Sequence, residues 1–130
     1  MNNKEIAAQF FQEGYVRHHY EAVMELVSET YLDHSPAGAR SNQDCVNILK
    51  CVERQLQGMK VEIRELFGEG DLVAARVCFE AVHAGEYMGI PATGKRIRFE
   101  ALESFRMEKG KIVESWGYWP DKEIERQLLA

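Results

Sequence analysis

Several side chains in this sequence could move a proton, and their neighbours decide which ones are candidates. Asp121 follows Trp116, Trp119 and Pro120. Apolar neighbours raise a carboxyl pKa. One such carboxyl can remove the acidic proton between two carbonyls and deliver a proton to the carbonyl that is attacked. The same aspartate opens the run Lys122-Glu123-Ile124-Glu125, where an N-terminal helix cap is expected, so capping is its competing role. His83 shares a strand phase with Val77 and Phe79. That phase aims the imidazole and the Phe79 ring at an interior pocket, where a histidine polarises a carbonyl or shares a proton with a carboxylate. A core histidine bonded to backbone fits the same pattern.

Glu103 is the most informative polar residue, being in phase with Phe99, Ala101, Phe105 and Met107. Either it lines the pocket as an acid/base or, should that phase face outward, it pairs with an arginine at a dimer interface. Tyr15 lies on the apolar side of the first helix. It hydrogen-bonds a substrate oxygen, or it is a core tyrosine with its hydroxyl at the rim. His34, preceded by Asp33 and followed by Ser35-Pro36, reaches the pocket mouth or serves ordinary turn chemistry. Trp116 and Trp119 complete the expected substrate walls.

Other signals are set aside on physical grounds. Gly89-Ile90-Pro91-Ala92-Thr93-Gly94-Lys95 has the glycine-lysine spacing of a phosphate loop, but Arg96 replaces Ser or Thr and a strand follows. His18-His19 and His34 form no ligand set with carboxylates at helical spacing, so no metal is expected. Neither Ser35 nor Ser104 has a nucleophile-elbow context.

The elements that must position these groups follow from periodicity. Ile6, Phe10, Phe11, Tyr15 and Val16 have near-helical spacing, which predicts one helix through the first nineteen residues, capped by Asn2 or Asn3. A short helix follows over 21–27, and Tyr31 to Pro36 reads as extended. Cys45, Leu49, Val52 and Leu56 mark a third helix capped by Ser41 or Asn42 and closed by Gly58. Beyond Gly58 the period becomes two, with strands from Met59, over 72–87, from Arg96 to Met107 and over 112–118. Pro120 then ends the pairing before a short helix carrying Ile124, Leu128 and Leu129.

Helices followed by hairpin-joined antiparallel strands predict an α+β fold, a single domain over 1–130. Its curved antiparallel sheet wraps the N-terminal helices into a cone with an internal pocket at the open end. The 130 residues are 45% hydrophobic, enough for a core without disulfides or a structural metal. The 16 basic and 21 acidic residues give a net charge of −5 with no basic stripe, which argues against nucleic acid. Neither a signal peptide nor a membrane-spanning stretch is present in the sequence, so a cytoplasmic protein is expected. The three cysteines form no framework.

Three segments carry a resemblance: Tyr31 to Pro36, Val82 to Lys95, and Gly110 to Trp116 followed by Asp121 and Gln127-Leu128. Together they resemble the SnoaL-like polyketide cyclases of the nuclear-transport-factor-2-like superfamily. The resemblance implies the same cone, a deep pocket for a small-molecule ligand, and a homodimer formed through the outer sheet face. It also implies an intramolecular aldol closure without cofactor, with an aspartate shortly after the last-strand tryptophan as acid and base. Carried over, that role falls on Asp121, although the position four residues after Trp116 holds Pro120. A non-catalytic small-molecule binding protein of the same fold is the alternative.

Overall fold

The computed structural model describes residues 1–130. Helix α1 (Asn3–Phe11) starts in a capping box: the Asn2 side chain accepts the Glu5 N–H at 2.8 Å, and the Glu5 carboxylate accepts the Asn2 N–H. It buries Ile6, Ala7, Phe10 and Phe11. The single long helix expected through residue 19 does not form. The chain widens into one π turn over Gln12–Val16, then restarts as α2 (Tyr20–Leu26). Close packing accompanies the change, since a Cβ on Gly14 would lie 3.0 Å from Leu49 Cδ1. Single π turns of this kind are frequent at functional sites, and this one carries Tyr15.

Strand β1 (Val27–Asp33) leads to α3 (Asn42–Gln55), whose N-cap Ser41 accepts the Asp44 N–H at 3.0 Å. Strands β2 (Leu56–Glu69), β3 (Leu72–His83), β4 (Arg96–Glu108) and β5 (Lys111–Tyr118) follow, then helix α4 (Asp121–Leu129). The order across the curved, unclosed sheet is β1-β5-β4-β3-β2. Four of the five strands form the expected antiparallel hairpins. The first strand departs from that pattern by pairing parallel to β5, because the helical segment between β1 and β2 lets the chain cross over. Gly58 does not close α3. It sits inside β2 at φ +64°, where the β2–β3 register slips, so the glycine serves a bulge. Strand β3 stops at His83 rather than Tyr87, because the chain turns back through a Tyr87–Ile90 bridge.

Alternation sets the inner face as read from sequence. Val73, Ala75, Val77, Phe79, Ala81 and His83 are buried on β3, and Ile97, Phe99, Ala101, Phe105 and Met107 on β4. The opposite phase is outward and ion-paired, with Arg76 donating to Glu65 and Glu100 at 2.9 Å each. Helix α4 docks where β5 has run out as a partner for β4, whose pairing with it begins at Leu102–Tyr118. There the Gln127 amide takes the missing strand's place, accepting the Arg98 N–H at 3.0 Å and donating to the Arg98 carbonyl at 2.7 Å. Ile124 and Leu128 are buried beneath it, which fixes Asp121 at the start of the helix beside the sheet. No helix is long and apolar enough to cross a membrane.

Candidate active site

A cavity of about 550 Å³ opens between the helices and the inner sheet face. Phe10 and Tyr15 enter it from α1 and the π turn, and Cys45, Ile48, Leu49 and Val52 from α3. Tyr31 and Asp33 come from β1, Glu103 and Phe105 from β4, and Ser115 and Gly117 from β5. Tyr87, Met88, Tyr118, Trp119 and Asp121 stand toward the outside.

Glu103 interrupts the inward apolar run of β4. Its Oε2 is fully buried and has no hydrogen-bond partner. Burial, and next the nearby Asp33 charge, push its carboxyl up to about 8, against a smaller pull downward from the Trp119 indole. The side chain lies over Gly117, its register partner on β5, where an added Cβ would sit 2.8 Å from Oε1 and 3.2 Å from Cγ and Cδ. Glycine at that position is therefore what seats the carboxyl. The inward phase rules out the dimer-interface arginine pair that the sequence left open for Glu103.

Asp33 accepts from several donors. It accepts the Ser35 N–H at 2.8 Å and the Ser35 hydroxyl at 2.7 Å. A longer bond of 3.4 Å comes from Ser115 Oγ, which is itself 2.5 Å from the Tyr31 hydroxyl. Tyr31 and Tyr15 are both driven well above the ordinary phenol range, chiefly by burial, so each keeps its O–H proton. Tyr15 leans on Phe79 and Trp119, with ring centroids 5.3 and 6.1 Å away.

Of the residues singled out from sequence, Glu103, Tyr15, Trp119 and Asp121 meet in this cavity. Asp121 is exposed at the rim and makes no cap bond; Pro120 is the N-cap of α4. Phe79 is a fully buried core residue that backs Tyr15 and Trp119 without lining the cavity. His83 does not reach the cavity either. Inward at that end of β3 means into packed core, with fully buried Leu56 as its register partner. Its Nδ1 accepts the Thr93 N–H at 3.2 Å and lies 2.9 Å from the Thr93 hydroxyl, so the imidazole pins the loop ahead of β4. His34 and Trp116 also stand outside the cavity, stacked on each other at 4.9 Å. His34 Nε2 is 2.5 Å from Glu114, whose carboxyl is held low mainly by Arg106 and then by His34. The physical reason is period two: once Asp33 faces inward, His34 must face out.

Sequence reasoning passed over Tyr31, Ser115 and Gly117. Alternation from Asp33 back to Tyr31 would have found the first. The other two are small residues on β5 whose role depends on the strands facing them.

An α+β cone with an acid group and tyrosine hydroxyls in one cavity is the frame in which the family can be named. The SnoaL-like polyketide cyclase family matches residues 5–128. The chain belongs to that family. Among solved structures it is similar to TsrD from Streptomyces laurentii, at 21% identity and TM-score 0.88, covering 97% of this chain and 94% of that one. It is also similar to a SnoaL-like polyketide cyclase from Agrobacterium tumefaciens, at 18% identity and TM-score 0.84, covering 98% of each chain. An LEH-like epoxide hydrolase from M. tuberculosis shares the fold at 13% identity and TM-score 0.75, covering 98% and 89%. At these identities the likeness is one of fold, and this fold hosts more than one chemistry. Among curated proteins none matches the chain in sequence.

Proposed function

We propose that the protein is a cyclase-type acid/base enzyme, enolising a small polyketide-like or ester-bearing carbonyl compound with its own side chains. The observation that carries this reading is Glu103: a carboxyl in the cavity with one fully buried, unpartnered oxygen and a pKa close to working pH. In the carboxylate form Glu103 takes the α-proton, and the electron pair of the C–H bond passes into an enolate. The enolate carbon attacks a second carbonyl of the same molecule. Glu103, now the acid, gives its proton to the new alkoxide, and the carboxylate is restored. Tyr15 donates to the enolate oxygen. Tyr31, through Ser115, steadies Asp33, whose charge keeps Glu103 basic enough to accept the proton. Glu103 thus takes the part that the family resemblance assigns to Asp121, because Asp121 stands in water at the rim.

The test is exchange of α-protons into heavy water, followed by NMR with benzylacetone as a minimal ketone. The exchange rate should rise with pH to a plateau with its inflection near 8, and Glu103→Gln should lower it by about 10²–10⁴-fold. Exchange unchanged in Glu103→Gln overturns the assignment. We propose further that the molecule is a homodimer through its outer sheet face, where Phe67, Leu102 and Tyr118 are 62%, 65% and 60% exposed around one shallow groove.

A further inference from the structure

Charge is distributed unevenly around the cavity. Asp33, Glu103 and Asp121 line it, and no lysine, arginine or histidine does. Arg54 reaches the rim residue Cys51, with its guanidinium 3.6 Å from Sγ, but is itself exposed and outside the lining. Deeper in, Glu103 Oε2 is a buried acceptor that no protein donor satisfies. At the mouth the exposed Asp121 carboxylate stands with Tyr87 and Trp119, and the Tyr87 phenol is raised by burial first and by the nearby Asp121 charge second. Aromatic faces beside a carboxylate attract an organic cation, and the attraction strengthens as the site is desolvated. The same walls disfavour carboxylates and phosphates, which would meet Asp33 and Asp121 with no counter-charge.

We propose that the ligand of this cavity carries an alkylammonium group, received at the mouth by Asp121, Tyr87 and Trp119, while its carbonyl end reaches Glu103 and Tyr15. This rests on the reading of the cavity as the place where the carbonyl compound is enolised, and it names the class of compound: an amino ketone or amino ester, not a free keto acid. The ammonium is a recognition handle and takes no part in the proton transfer. Asp121 is then a specificity residue of the mouth.

The experiment compares three probes of one shape: benzylacetone, its para-aminomethyl derivative and its para-carboxylate. Calorimetric titration gives each affinity, and α-proton exchange gives each reactivity. The ammonium ketone should bind about tenfold or more tightly than benzylacetone, with the carboxylate weakest. Asp121→Asn should bring the ammonium ketone to within about threefold of the neutral one. A second readout is proton linkage. A bound cation favours the Glu103 carboxylate, so the ammonium ketone should release a fraction of a proton on binding at about pH 7–8, and benzylacetone none. Should benzylacetone bind as tightly as the ammonium ketone and exchange its α-protons through Glu103, this inference falls and the proton-transfer reading stands. An ammonium preference lost in Asp121→Asn, with no exchange in any ketone, supports the ammonium subsite at the mouth but overturns the proton-transfer reading and the placement of the carbonyl end that rests on it. Failure of all three probes to bind overturns both.

Discussion

Replacing Glu103 with glutamine should flatten the dependence of stability on pH, and the sign follows from its raised pKa. The folded-state carboxyl titrates near 8 against 4.5 for an ordinary glutamate. Below pH 4.5 the folded and unfolded chains both hold the proton, and the group's stabilising contribution is fully present. Between 4.5 and 8 the folded chain keeps a proton that the unfolded chain has released, so stability falls as pH rises, at about 1.4 kcal/mol per pH unit. The window is about three and a half pH units wide, which amounts to about 3 kcal/mol at pH 7 and about 5 kcal/mol once pH passes 8. The cavity opens to solvent, which screens part of the charge and makes these upper bounds. Glutamine has nearly the same shape and no proton to lose, so whatever its amide costs is the same at every pH. Urea unfolding of both proteins at several pH values and one fixed protein concentration measures the difference. The variant should gain on the wild type by up to about 3–4 kcal/mol between pH 5 and pH 8. Parallel curves for the two proteins would refute a protonated Glu103, and with it the acid/base reading.

Other expectations follow from single contacts. Gly117→Ala places a Cβ 2.8 Å from Glu103 Oε1, so the flexible carboxyl must swing away. The expected result is a lower Glu103 pKa by carbon-13 NMR titration, with a loss of only about 1 kcal/mol in stability. Gly85→Ala meets rigid backbone instead, at 2.6 Å from the Arg54 carbonyl oxygen, and should cost about 2–3 kcal/mol in urea unfolding. Leu102→Arg puts a charge in the centre of the exposed sheet patch and should turn a dimer into a monomer in sedimentation, with the fold retained by circular dichroism.

Strand phases carried most of the fold in the sequence. Period two put Val77, Phe79, Phe99 and Phe105 on one face, and the structure buries that face. Alternation works there because neighbouring side chains on a strand point to opposite sides whatever else the chain does. It also marked Glu103 as the one carboxyl in an apolar phase, and the resemblance fixed the family and the cone. The same rule could not separate cavity from packed core. His83 and Glu103 both face inward, yet one ends against Leu56 and the other in open space, because that distinction depends on which element packs opposite.

The remaining decisions were tertiary. The parallel pairing of β1 with β5 joins residues more than eighty positions apart, bringing Tyr31 and Asp33 to Ser115. Gly117 matters only because Glu103 is its partner across β4 and β5. The π turn that carries Tyr15 forms where Gly14 packs against Leu49 of α3, a contact that helical periodicity does not encode. What the sequence by itself determined was the order of elements and the inward or outward sense of each strand, because these arise from local geometry repeated along the chain. Which inward groups share a cavity, which carboxyl is dried out and raised, and which histidine is spent on holding a loop were decided only when distant segments met. Burial and charge act through space, and no local pattern records them.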